Sequence, residues 1–157
     1  MQNSLSRNTA KVERLYKLAE ENNIPIDETC PESLISMSVR LSDGKKIIGL
    51  SNDESTAYTK LERLAHEMGH CMTDSFYAGF SPFELRAKHE YKANVWAANE
   101  IVPFPDLCKA VKNGLRELWE LAEHFGVSHT FMEKAIKLHE QNGNTVPREL
   151  YEENYSL

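Results

Sequence analysis

The sequence predicts an α+β domain, mostly helical, with one small antiparallel sheet and a helical C-terminal part. Three observations carry this. Apolar residues recur at helical spacing along most of the chain, and one stretch, residues 34–41, switches to strict alternation. The 157 residues, 41% hydrophobic and 27% charged, suit one domain with its own core. That domain is expected over residues 1–140, its C-terminal helical part at about 104–140, and a tail over 141–157, where Asn142-Gly143-Asn144 and Pro147 break helices.

Val12, Leu15, Tyr16 and Ala19 place a first amphipathic helix at about Thr9 to Asn22, and Pro25 opposes its continuation. In residues 34–41, Ile35, Met37, Val39 and Leu41 fall on one face and Ser36, Ser38 and Arg40 on the other, so the first face is expected on the core and the second in water. Asp43-Gly44 supplies a tight turn, and Lys45 to Leu50 returns as a second strand. After polar Ser51-Asn52-Asp53, a second helix is expected from about Ser55 to Met72, with Leu61, Leu64, Ala65, Met68 and Met72 in one stripe. The third has Ser81 as N-cap, Pro82 at its first position and Glu84 three residues after the cap, with Phe80 and Leu85 at the staple positions. Pro103 and Pro105 stop it near Ile101. Further helices follow at 106–113, ended by Gly114, then at 115–125 and at 129–140, capped by Ser128.

Composition narrows the functional classes. A formal charge of −6 repels phosphate backbones and anionic lipid, so a protein partner is expected, with no direct nucleic-acid or membrane binding. The longest stretches without a charged residue are 9 long (Ser75 to Phe83, His124 to Met132), far short of a bilayer span, and the N-terminus has no apolar signal region. The expected location is the cytoplasm. Cys30, Cys71 and Cys108 show no CxxC pairing and are read as reduced thiols.

The chemistry is concentrated in His66-Glu67-Met68-Gly69-His70, an HExxH pattern in which two histidines one turn apart can bind zinc while the glutamate acts as base. From this chain's own composition, roughly 0.03 chance matches are expected. On the helical wheel both histidines lie opposite the apolar stripe, a placement that suits an ion and equally suits two solvated histidines.

A catalytic zinc needs a third protein ligand and one open position. The metzincin pattern would put Gly at 73 and His at 76, where this chain has Thr73 and Phe76, so that subclass is excluded. Glu90 is a candidate, midway along the third helix among small Ala87, Ala93 and Ala97, which would let two helices approach closely; a solvated glutamate in an alanine-rich helix is the other reading.

The run Glu90-Tyr91-Lys92-Ala93-Asn94-Val95-Trp96-Ala97-Ala98-Asn99-Glu100-Ile101-Val102-Pro103 resembles the "E-x-x-A-N-x-F-A-A-x-L-L-M-P" block that follows HExxH in the ImmA/IrrE family of metallopeptidases. Leu121 to Ser128 is similar to that family's "LA-x-x-F-x-VS" segment, and the likeness extends over roughly Ile47 to Ser128. Trp96, Glu100-Ile101-Val102 and Lys92 depart from the pattern; the last removes a carboxylate that would compete with Glu90.

The resemblance implies a zincin-like, gluzincin-type endopeptidase. His66, His70 and Glu90 would hold one Zn2+ per chain, and Glu67 would be the catalytic glutamate. The substrate it implies is a helix-turn-helix repressor of a prophage, mobile element or stress regulon, often encoded nearby. Asn94, one turn beyond Glu90, is a candidate to orient a ligand, though it equally suits a packing role. Tyr77, His89 and Tyr91 are candidate oxyanion donors, with aromatic packing the alternative for each tyrosine. A sheet edge is expected to receive substrate as an added strand. The competing classes are a non-proteolytic zinc-containing regulator and a DNA-binding protein built on residues 115–140, whose Gly126-Val127-Ser128 turn joins two helices. Glu133 and Glu140 against Lys134 and Lys137 leave that second helix with no net positive charge.

Overall fold

The computed structural model describes residues 4–30, 36–51, 57–147 and 150. Along them run α1 (Ser4–Glu21), β1 (Ile26–Cys30), β2 (Met37–Arg40), β3 (Lys46–Ser51), α2 (Ala57–Thr73), α3 (Phe83–Ile101), α4 (Phe104–Lys112), α5 (Leu118–Phe125) and α6 (His129–Gln141). The α+β, mostly helical class stands. Ile35, Asn52, Asp53 and Ser55, on which parts of the sequence reading rest, lie outside the described residues.

The sheet is mixed and three-stranded, in the order β1-β3-β2, not purely antiparallel. The expected hairpin is there, with Met37 opposite Gly49 and Arg40 opposite Lys46. The added strand β1 runs parallel to β3, with Ile26 opposite Ile48. Its sequence, Ile-Asp-Glu-Thr-Cys, is short and mostly exposed, so it carries no alternation to reveal it.

β2 keeps its alternation but turns the other way. Met37, Val39 and Leu41 are 46%, 41% and 42% exposed, whereas Ser36 is buried. The inward serines have polar partners: the Ser51 N–H donates to Ser36 Oγ at 3.1 Å, and Ser38 hydrogen-bonds Glu67. A polar residue satisfied inside displaces an apolar one to the outer face.

α2 buries Leu61, Leu64, Ala65 and Met68 completely. Its other side crosses α3 with backbone nearly touching backbone: a Cβ built on Gly69 would lie 2.4 Å from the Ala93 carbonyl oxygen. Ala93 and Ala97 are buried at this crossing and serve close approach as expected, whereas Ala87 is exposed and takes no part in it.

α1 starts at Ser4, earlier than the apolar pattern indicates, because its first turns bond rather than pack. Arg7 Nη1 donates to His124 O (2.8 Å), Asn8 Nδ2 to Gly126 O (2.8 Å), and Lys11 Nζ to Ile101 O (2.8 Å) and Phe125 O (2.5 Å). These are carbonyls at the C-terminal ends of α3 and α5, which have no partner within their own helices.

The start of α3 differs from expectation. Ser81 Oγ accepts from Ala78 N instead of capping the helix, and Phe80 is 94% exposed, so neither cap nor staple forms. Gly114 closes the turn after α4 at φ 99° and Gly126 closes α5 at φ 69°. The Glu120 carboxylate accepts from the backbone N–H groups of Arg116 and Glu117, which sets the start of α5, and Ser128 caps α6 by accepting from Phe131 N. The core also takes in Val146 and Leu150, beyond α6. Among the described residues no helix is long and apolar enough to cross a membrane.

Candidate metal centre

His66 and His70 stand one turn apart on α2, and the α2–α3 crossing brings Glu90 against both. The three separations are His66 Nε2 to His70 Nε2 at 3.2 Å, His70 Nε2 to Glu90 Oε1 at 3.2 Å, and His66 Nε2 to Glu90 Oε2 at 3.3 Å. Ligands about 2.0–2.1 Å from a tetrahedral zinc lie about 3.3 Å from one another; the two imidazoles meet that spacing, each faces a different oxygen of Glu90, and one ligand atom from each residue lies within 4.8 Å of the others.

Protonation points the same way. His70 Nδ1 lies 2.7 Å from Ser75 O, a backbone carbonyl that can only accept, so Nδ1 carries a proton and Nε2 is the nitrogen turned toward Glu90. His66 Nδ1 lies 3.0 Å from Asn94 Oδ1, with the same consequence. Burial pushes the His66 pKa down, against the pull of the Glu67 charge, and so favours the neutral ring. Burial raises the Glu90 pKa, but the Tyr77 hydroxyl and the two imidazoles outweigh it and hold the carboxyl below its ordinary value. The two Nε2 atoms and the carboxylate therefore face one point, a donor set that a single bound cation would satisfy.

Glu67, on the next position of α2, is 6% exposed and turned toward β2. Burial raises its pKa, and the Ser38 hydrogen bond partly offsets this. Tyr77 donates to Glu90 Oε1 at 2.6 Å, and that bond pushes its own pKa up to about 12. The His89 ring lies tilted 6.3 Å from the Tyr77 ring, and among the described residues its buried Nδ1 has no hydrogen-bond partner, while Tyr91 does not line the cleft.

The cleft over these groups encloses about 690 Å³. Met37 and Val39 of β2 form one side, Phe131 and Lys134 of α6 the other, and the His66-Glu67-His70-Glu90 cluster the floor. Three contributors escape sequence reasoning. Ser75 reaches His70 through a left-handed turn at Asp74 (φ 51°), a conformation that Asp tolerates but does not announce. Ser38 lies on a strand face that reads as solvent-exposed. Lys134 reaches Asn94 from 40 residues away in sequence.

An HExxH helix crossed by a carboxylate-bearing helix, with a second, buried carboxylate beside them, defines a metallopeptidase-type centre. The chain belongs to the peptidase M78 family, whose IrrE N-terminal-like domain matches residues 28–137. No curated protein and no solved structure matches it. The family and the His66-His70-Glu90 cluster together support a metallopeptidase-like function.

Proposed function

We propose that the protein is a zinc-dependent endopeptidase, with His66, His70 and Glu90 holding one Zn2+ and Glu67 as general base. The observation that carries this is the convergence of two imidazole Nε2 atoms and one carboxylate on a single point, beside a buried carboxylate that takes no part in the cluster. Zinc bound there supplies Lewis acidity, lowering the pKa of a water toward 7 and polarising a peptide carbonyl.

The chain's own groups do the rest. Glu67, its affinity for a proton raised by burial, takes one from the attacking water at its carboxylate and delivers it to the leaving amine nitrogen. Ser38 holds that carboxylate in place, and Tyr77 fixes the orientation of Glu90. β2 has one neighbour in the sheet, β3, so among the described residues its outer edge can take an extended peptide as a further strand, with Met37 and Val39 meeting its side chains.

The substrate we propose is a helix-turn-helix repressor encoded nearby, on the strength of the ImmA/IrrE resemblance. The DNA-binding alternative loses support because the first residues of α6, which a recognition helix would present to bases, line the cleft instead.

The test is elemental analysis of the purified protein alongside incubation with the neighbouring repressor. Wild type should hold about one zinc and cleave; Glu67→Gln should keep the zinc and lose cleavage by about 10²–10⁴-fold. Cleavage that survives in Glu67→Gln removes Glu67 from the role of base.

A further inference from the structure

We infer that Lys134 is a positioning residue of the metal centre, acting through Asn94 to fix which nitrogen of His66 carries the proton. The inference rests on the reading of His66 as a metal ligand.

An asparagine side chain presents an acceptor on one side and a donor on the other, and a half-turn of its amide exchanges them. At position 94 the choice has a chemical consequence. With Oδ1 toward His66, the ring must donate from Nδ1, and Nε2 is bare where a metal would sit. With Nδ2 toward His66, the ring must accept at Nδ1, and the proton moves to Nε2, where it points into the metal position and blocks coordination.

On α3 the Glu90 carboxylate, 3.3 Å from Nε2, would by itself draw the proton there in the metal-free protein, so neither α2 nor α3 decides for the Nδ1–H form. Lys134 does: its ammonium is donor-only and lies 2.6 Å from Asn94 Oδ1, the same atom that faces His66 Nδ1 at 3.0 Å. One oxygen with two lone pairs accepts both bonds, and the flipped amide would set two donors against each other. His70 needs no such device, because the Ser75 backbone carbonyl cannot flip.

The placement of Lys134 is secured from α2. Glu62 Oε1 accepts from the Ser128 N–H at 2.6 Å and so ties the start of α6 to the helix that bears the histidines. The C-terminal helix thereby takes part in preparing the site without touching the ion.

The sign of the effect separates this role from a bland one. A lysine beside a cation site repels the cation, so on charge alone Lys134→Met should tighten zinc binding. Loss of the orienting bond should weaken it, by about tenfold, the lower end of what removal of a ligand's hydrogen-bond partner costs.

Zinc affinity would be measured by competition with a chromophoric chelator, and the His66 tautomer by ¹⁵N NMR of the metal-free protein. Lys134→Met should bind zinc about tenfold more weakly and show His66 shifted toward the Nε2–H form, and Lys134→Arg, which keeps a donor, should resemble wild type. In an Asn94→Asp background either carboxylate oxygen accepts from His66, so adding Lys134→Met should cost no affinity. Undiminished zinc affinity in Lys134→Met, an unchanged tautomer, or an equal loss in the Asn94→Asp background each overturns the inference. If wild type itself binds no zinc, the metal reading fails separately, and the tautomer comparison alone decides the role of Lys134.

Discussion

At the scale of single residues, burial sets chemistry most visibly at Lys11. Its ammonium donates to the terminal carbonyls of α3 and α5, yet burial, with Arg14 and Arg7 adding to it, lowers its pKa to about 8. Between pH 8 and about 10.4 the folded chain has released this proton while the unfolded chain keeps it, so the unfolded state binds more protons and stability rises with pH. Lys11→Met should destabilise the protein by about 1–3 kcal/mol at neutral pH, because two buried carbonyls lose their donor. The stability advantage of wild type over that variant should then grow from pH 8 to 10, by at most about 1.4 kcal/mol per unit. Urea unfolding of both proteins across that range checks it; a flat difference means that Lys11 titrates normally. The residues that sequence alone revealed, His66, His70 and Glu67, are those whose roles depend on spacing within one helix. Ser75, Ser38 and Lys134 depend on a turn conformation, a strand face and a tertiary contact, none of which has a local pattern.

At the scale of elements, the α2–α3 crossing decides whether a site exists. In an isolated helix, replacing Gly by Ala stabilises by about 1 kcal/mol. At position 69 the added methyl would meet the Ala93 backbone carbonyl at 2.4 Å, which no side-chain rotation relieves. Gly69→Ala should therefore destabilise, by about 1–3 kcal/mol, and should weaken zinc binding as well, since the helices must part and carry Glu90 away from the imidazoles. Thermal unfolding with a zinc titration reads both, and a variant more stable than wild type would falsify the close crossing. Ala93 and Ala97 were legible as a small-residue face because helical periodicity survives whatever packs on it. The orientation of β2 was not: Met37, Val39 and Leu41 make a valid apolar face, and only the inward hydrogen bonds of Ser36 and Ser38 reveal that it points outward. Ser81 failed as a helix cap for a similar reason, since its hydroxyl is engaged by the Ala78 N–H one turn earlier.

At the scale of the whole molecule, the fold and the metal site share α2 but use opposite faces of it. Leu61, Leu64 and Met68 belong to one hydrophobic core with Leu15, Ile48, Leu121, Met132 and Ile136, while His66 and His70 open on the cleft. A core of this kind does not need an ion to form, unlike that of a zinc finger, whose folding free energy is its metal-binding free energy. The ion should still stabilise the native state by mass action, by about 2.7 kcal/mol at a free concentration one hundred times its dissociation constant. For a domain of this size that corresponds to a rise in Tm of about 5–10 °C. Removing zinc with EDTA should accordingly lower Tm by that amount while leaving the far-UV circular dichroism at 25 °C unchanged. Loss of helical signal on chelation at that temperature would mean that the centre holds the fold together, and would move the site from the catalytic class toward the structural one.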